Sequence, residues 1–216
     1  MENIKNIIFD LGGVLLTLDF AKTEEAFVDL GVKNFSELYR QQKASPLFEQ
    51  LETGHVSNAE FYKQFSSISK CTLQEPQVET AWCSMLGHFP DEVLTWLEDI
   101  KNRYNIYLFS NTNRIHQKAF EKIYEQQTGK TNFEHLFVKA WYSHDLGLRK
   151  PHPEAFQRLL EIEQLNPAET LFIDDSKLNI EGAEKVGLQT IWLKPPQSVT
   201  ELNLWGVDYF TSSNSM

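Results

Sequence analysis

The sequence predicts an α/β fold: a doubly wound parallel sheet with a block of helices inserted after its first strand. Three observations carry that prediction. Short apolar runs of strand length, Ile7–Phe9, Ile106–Phe109 and Thr170–Ile173, recur along the chain, and each stops at a polar or acidic residue. Between the later runs, apolar residues fall three and four apart, the spacing of a helix face. Strands alternating with helices build right-handed crossover units, and such units bury a parallel sheet under helices on both faces.

The first run suits a strand buried on both faces. It ends at Asp10, with Gly12 and Gly13 close behind. A turn after a core strand accounts for these residues as well as a carboxylate held out for chemistry does. From Phe20 to Phe89 the helical spacing dominates and suggests roughly four or five helices. Ser57-Asn58-Ala59-Glu60 has the form of a capping box ahead of Phe61, Tyr62 and Phe65, and Gly54 sits where the preceding helix would end. Asn34-Phe35-Ser36-Glu37 has the same form, so that Leu38 and Tyr39 would begin another buried stripe. The predicted division is a core of residues 1–15 and 90–216 and a helical unit of residues 16–89.

At Pro90 the pattern shifts. Pro90 fits a first helical position, Asp91 and Glu92 suit the positive end of the helix dipole, and Val93, Leu97, Ile100 and Tyr104 share a face. The strand Ile106–Phe109 closes in Ser110-Asn111-Thr112-Asn113. A helix beginning near Asn113 carries Ile115, Ala119, Phe120 and Ile123. Leu136–Tyr142 reads as a strand and Pro151–Ile162 as a helix with Phe156, Leu159 and Leu160 inward. Thr170–Ile173 closes at Asp174-Asp175. Ile180, Ala183 and Val186 then face one way on a helix that Gly187 ends; Thr190–Leu193 is a last strand, and Thr211–Met216 a short frayed tail.

Composition narrows the class. A chain of 216 residues, 41% apolar and 23% charged, can bury one sizeable core with an accessory unit and is not generally disordered. A formal net charge of −10, with no basic cluster beyond Arg149-Lys150, argues against nucleic acid or an anionic membrane as partner. Phosphate remains possible if a metal supplies the local positive charge. Two cysteines, Cys71 and Cys83, no leader-like start and no run long enough to cross a bilayer point to a soluble protein of the reducing cytoplasm. No obligate protein partner is evident.

Three strands therefore end in Asp10, Ser110-Asn111 and Asp174-Asp175, and Lys150 stands before a helix whose start Pro151 sets. In a parallel sheet these ends lie on one edge, where ligands bind. Taken singly, Asp175-Ser176, Ser110 and Asn113 could be helix caps. Three carboxylates and a lysine meeting at one edge make a site the better account.

The set Phe9-Asp10-Leu11-Gly12-Gly13-Val14-Leu15, Ser110-Asn111-Thr112, Lys150-Pro151 and Phe172-Ile173-Asp174-Asp175 resembles the four motifs of the haloacid dehalogenase-like (HAD) hydrolase superfamily. Ser110-Asn111-Thr112-Asn113-Arg114 with His116, Asp145-Leu146-Gly147-Leu148-Arg149-Lys150-Pro151 and Asn179-Ile180-Glu181-Gly182-Ala183 resemble its small phosphatase branch, which includes sugar-1-phosphate phosphatases. Phe48–Ser57 also resembles that branch, which would make residues 16–89 an α-helical cap on a Rossmann-like core. The resemblance implies a phosphatase that binds Mg²⁺ through the Asp10 carboxylate, the Gly12 carbonyl and Asp174, with Asp175 holding a metal-bound water or binding directly. It implies Asp10 as nucleophile, Lys150 as charge neutraliser, and Ser110 and the amide of Asn111 as phosphate ligands. A small phosphorylated metabolite, first of all a sugar phosphate, would be the substrate. The chemistry is coherent: Mg²⁺ takes oxygen ligands, and a covalent aspartyl-phosphate splits one hard displacement into two.

One departure stands out. Most phosphatases of the superfamily carry a second aspartate two residues after the nucleophile to protonate the leaving oxygen; here that position is Gly12. Either the leaving group needs little protonation, or another residue or a water supplies the proton, with Asp19 and His116 as the candidate residues. Asp19 could equally cap the first helix of the insert, and His116 could be a packed histidine. Gly12 would also suit a metal-independent haloacid dehalogenase, which has no use for the paired acids Asp174-Asp175. It would suit a catalytically idle binder of phosphometabolites too.

Overall fold

The structure is a computed structural model and describes residues 3–39 and 46–204. Its centre is a five-stranded, all-parallel sheet in the order β3-β2-β1-β4-β5. The strands are β1 (Asn6–Phe9), β2 (Asn105–Ser110), β3 (Lys139–Tyr142), β4 (Thr170–Asp174) and β5 (Gln189–Trp192). The chain builds outward from β1 through β2 to β3, then returns to the other side of β1 for β4 and β5. The strand order thus reverses beside β1, where a crevice opens at the carboxyl ends.

Side chains alternate between two cores, as the pleat requires. Ile7, Phe9, Ile106, Leu108, Leu171 and Ile173 face α6 (Asp91–Ile100) and α7 (Arg114–Thr128), where Trp96 meets Phe9 edge to face at 5.7 Å. Ile8, Tyr107, Phe109 and Phe172 face α9 (Pro153–Ile162) and α10 (Lys177–Glu184). A one-turn helix, α8 (Ser143–Leu146), follows β3 directly.

Between β1 and α6 lie α1 (Phe20–Asp29), α2 (Phe35–Leu38), α3 (Pro46–Glu52), α4 (Asn58–Ser69) and α5 (Glu75–Cys83). They enclose a separate aromatic core of Phe27, Phe35, Phe48, Phe61, Phe65 and Trp82. Burying each such ring is worth roughly 1.5–3 kcal/mol, enough together to hold short helices that would be marginal alone. The two chain crossings to the sheet pair with each other: Thr17 N donates to His88 O (3.0 Å), Gly87 N to Thr17 O (2.9 Å) and Asp19 N to Met85 O (2.9 Å).

Several predicted details shift. Ser57 caps α4 by accepting from Glu60 N at 3.2 Å, but the Glu60 carboxylate accepts from Gln64 Nε2 instead of closing the box. Asn34 makes no side-chain cap, and α2 stops at Leu38 after one turn. Leu136–Tyr142 divides into a 3-10 turn (Phe133–Leu136) and the shorter β3, because Phe137 N turns back to Glu134 O (3.0 Å) and the register with β2 begins at Lys139. Pro90 is the cap of α6 rather than its first residue. The last helix ends at Glu184, ahead of Val186 and Gly187. The tail Thr211–Met216 lies outside the described residues.

Candidate active site

The parallel register carries Phe9 beside Leu108 on one side and Ile173 on the other, so the next residues along, Asp10, Phe109 and Asp174, arrive together at the sheet edge. Lys150 enters from the loop after α8. Its main chain is clamped by the Asn111 side chain, whose Nδ2 donates to Lys150 O (2.8 Å) and whose Oδ1 accepts from Lys150 N (2.9 Å). The side chain is fully buried, with its ammonium 5.4 and 5.3 Å from the ring centroids of Phe109 and Phe172. All three ammonium hydrogens are used: Nζ donates to Asp10 Oδ1 (2.7 Å), Asp174 Oδ2 (2.8 Å) and Phe109 O (2.8 Å). Burial alone would lower the Lys150 pKa, but the Asp10 and Asp174 carboxylates hold it above its ordinary value.

Asp174 also accepts from Ser176 N (2.7 Å) and, at both oxygens, from Asn179 Nδ2 (3.0 Å). Asp175 completes the group: Asp10, Asp174 and Asp175 offer oxygens within 4.8 Å of one another. Three carboxylates against one ammonium leave two negative charges in excess in a buried place. Burial, abetted by Asp174 and Asp175 and opposed by Lys150, pushes the Asp10 carboxyl up to about 7. Burial and Asp174 push Asp175 up to about 6. An all-oxygen donor set with this uncompensated charge fits a divalent cation such as Mg²⁺, which would return these carboxylates to their ionised form.

The loop after Asp10 is shaped by its glycines. Gly13 has φ +78°, and a Cβ there would stand 2.3 Å from Asp175 Oδ2, so any side chain would drive the loop off the acid. At Gly12 a Cβ would stand 2.5 Å from Leu18 Cδ1. The end of the Leu18 side chain would have to turn aside to admit a side chain at position 12.

Ser110 is buried and, with Asn111, lines a cavity of about 560 Å³ above Asp10 and Lys150. Because the Asn111 side chain is engaged with Lys150, its main-chain amide is the group left for a phosphate oxygen. Asn113 is a helix cap, accepting from Ile115 N and His116 N. Ser176, not Asp175, occupies the cap position of α10.

The two candidate proton donors are placed differently from the rest. Asp19 does not line the cavity; it caps α1 by accepting from Ala21 N at 3.1 Å. His116 touches the cavity wall but stacks on Trp82 at 4.6 Å, and its Nε2 donates to Trp82 O at 3.0 Å. Burial lowers its pKa to about 4, so the ring is neutral near pH 7 with its one proton already engaged. Both side chains are engaged away from the Asp10 carboxylate. Sequence reasoning assigned no role to Asn179 and missed Ser143, which brackets Thr112 through N and O at 2.9 and 3.0 Å. It also missed Trp192, whose indole donates to Asp175 O at 2.9 Å, and the cavity wall of Tyr39, Glu49, Glu52 and Arg149. Asn179 and Arg149 left a signal, the one a helical turn beyond the paired acids and the other beside Lys150 in the same motif.

Comparison with known proteins gives concordant results. A family model for haloacid dehalogenase-like hydrolases matches residues 4–187. A D-ribitol-5-phosphate phosphatase of Bacteroides thetaiotaomicron is 30% identical over 187 residues, 87% of this chain and 90% of that protein. The crystal structure of a HAD family enzyme from the same organism, in complex with magnesium and inorganic phosphate, superposes with a TM-score of 0.80 at 32% identity, covering 91% of this chain and 97% of that one. A HAD-like hydrolase from Porphyromonas gingivalis superposes with a TM-score of 0.81 at 30% identity, covering 93% and 94%.

Proposed function

The chain belongs to the haloacid dehalogenase-like hydrolase family, and from that premise we propose that it is a Mg²⁺-dependent phosphatase acting on a small phosphorylated metabolite, with sugar and sugar-alcohol phosphates as the favoured class. The observation that carries this reading is the buried Lys150 ammonium shared by Asp10 and Asp174, with Asp175 completing a divalent-cation donor set. The phosphatase and the phosphate-bound enzyme among its relatives support it.

In the proposed reaction the Asp10 carboxylate attacks phosphorus, forming an oxygen–phosphorus bond as the bond to the leaving oxygen breaks. Water then attacks the phosphoryl-Asp10, releases inorganic phosphate and restores the carboxylate. Held by Asp10, the Gly12 carbonyl and Asp174, with Asp175 beside it, Mg²⁺ would supply the positive charge that lets one anion approach another. Lys150 holds Asp10 Oδ1 and offsets charge without moving, because the Asn111 clamp and two aromatic rings fix it. Ser110 and the Asn111 amide hold phosphoryl oxygens. Leu18 crowds the place of the usual acid, so we assign protonation of the leaving oxygen to water.

Residues 1–15 and 90–216 are proposed as the catalytic core and residues 16–89 as a cap that chooses the substrate. The separate aromatic core and the paired crossings at Thr17–Asp19 and Met85–His88 support that division. Among the described residues no helix is long and apolar enough to cross a membrane. With Cys71 and Cys83 both free, we place the protein in the reducing cytoplasm.

Phosphate release from a panel of sugar and sugar-alcohol phosphates, with Mg²⁺ and with a chelator, tests the reading. Turnover of at least one substrate only with Mg²⁺ is expected. Metal-independent halide release from a haloacid would favour the dehalogenase alternative, and silence on every ester would favour an idle binder; either result would overturn the proposal.

A further inference from the structure

The two adjacent acids of the site are held in different ways. The Asp174 carboxylate takes donors from Lys150, Ser176 and Asn179. Asp175 is placed through its main chain. Its carbonyl oxygen accepts from the Trp192 indole at 2.9 Å, and the amide of the same peptide unit, Ser176 N, donates to Asp174 Oδ1 at 2.7 Å. In a trans peptide the C=O and N–H point in opposite directions, so the unit is clamped from both sides, by the indole and by Asp174. Turning the plane would break both bonds at once. With β4 fixed in the sheet on one side and this plane on the other, the backbone at Asp175 has a single course. The carboxylate that it presents lies close against the loop after Asp10, where a Cβ on Gly13 would stand 2.3 Å from Asp175 Oδ2.

The sheet brings Trp192 to that carbonyl. It ends β5 in register with Asp174, and Leu193 N donates to Asp174 O at 3.0 Å, so the two strand ends arrive level. The ammonium groups of Lys194 and Lys177 lie 4.4 and 5.9 Å from the indole ring and steady it. The ring lines the cavity beside Asp175, is 37% exposed and, among the described residues, belongs to none of the three apolar cores. A phenylalanine would supply much of the same wall and no donor, which singles out the indole nitrogen as the part of Trp192 that the site uses.

We propose that Trp192 is a positioning residue of the divalent-cation site: its indole N–H fixes the peptide between Asp175 and Ser176 and thereby sets the Asp175 carboxylate for Mg²⁺ or for a water on it. This rests on the cation site of the phosphatase reading above and adds to it a residue that lies beyond the four motifs. Groups that orient a metal ligand without touching the metal typically matter about 10–100-fold in affinity.

The test measures the Mg²⁺ Kd of the substrate-free protein by titration calorimetry. It compares the wild type, Trp192→Phe, and a protein with 3-benzothienylalanine in place of Trp192, which keeps the fused rings and puts sulfur where the N–H was. Both replacements should weaken Mg²⁺ binding about tenfold or more while circular dichroism shows the metal-free proteins folded. Unchanged affinity in both, or a loss with phenylalanine alone, would mean that the N–H bond does not place Asp175, and would overturn the proposal. A raised KM for phenyl phosphate with the Mg²⁺ Kd unmoved would make Trp192 a wall for the substrate, and would overturn it as well. If Trp192→Phe fails to fold, the benzothienylalanine protein decides alone, because the shape of the ring is kept. Each of these results leaves the phosphatase reading standing as long as the wild type turns over phenyl phosphate with Mg²⁺. A wild type that binds no Mg²⁺ overturns both.

Discussion

An aspartate restored at position 12 tests how the missing acid is accommodated. Its Cβ would lie 2.5 Å from Leu18 Cδ1 and 3.3 Å from Cγ, whereas carbon atoms sit comfortably at about 3.5–4.0 Å, an overlap of about 1 Å. Leu18 is half-buried, packed against the sheet core and bridged to Leu86, so an intruding carboxylate would have to displace it. We therefore expect Gly12→Asp alone to change kcat/KM by less than about threefold, well short of the roughly 10²–10⁴ that a well-placed general acid supplies. Gly12→Asp with Leu18→Ala clears the space. Deleting a fully buried leucine costs about 2–5 kcal/mol, so this half-buried one should cost about 1–2 kcal/mol, a fall in Tm of about 2–8 °C. In exchange, kcat/KM on alkyl phosphates should rise about 10–100-fold, with little change on phenyl phosphate, whose leaving group needs less protonation. The assay is kcat/KM across esters of graded leaving-group basicity. Equal benefit from the single and double variants would show that Leu18 is no obstacle. A benefit independent of the leaving group would refute the acid reading itself.

Mg²⁺ should raise the Tm of the protein without any substrate: at a hundred times its Kd it adds about 2.7 kcal/mol, or about 5–10 °C for a chain of this size. Asp174→Asn should abolish that shift, and a shift surviving in the variant would contradict the donor set. His116 should make the fold acid-sensitive. Its pKa falls on folding from 6.5 to about 4, so the unfolded chain takes up the proton first. Stability is full above pH 6.5 and drains as pH falls toward 4, by about 2 kcal/mol at pH 5. Urea unfolding of wild type and His116→Gln, which keeps a donor for Trp82 O, should show the variant losing less stability between pH 7 and pH 5; parallel losses would refute the assignment.

What the sequence revealed and what it hid follow from physical reach. The runs ending at Asp10, Ser110 and Asp174 were legible because a strand buried on both faces must be apolar throughout, and parallel pairing then forces its ends together. The edge strand β3 was overextended to Leu136 because Leu136 and Phe137 carry the same apolar signal, although Leu136 closes a 3-10 turn and the first bond to β2 comes only from Val138 N, to Ile106 O. Asn34 matched a capping pattern, yet a helix that stops after one turn gives such a cap little to hold. Asp19 and His116 lie near the motifs in sequence, but a backbone amide engages one and a carbonyl and an indole the other, which spacing does not report. Glu52 and Arg149 come from different units nearly a hundred residues apart, and only the packed chain shows that they meet. Gly12 was legible as a gap; that Leu18 crowds it was not.

The most direct test of the central claim is phosphate release from one turned-over ester by wild type and Asp10→Asn, each with Mg²⁺ and after chelation. The account predicts turnover by the wild type with Mg²⁺ alone, with the variant and both chelated samples at background while circular dichroism shows the variant folded. Phosphate release by Asp10→Asn at the wild-type rate, or release unaffected by chelation, would contradict it.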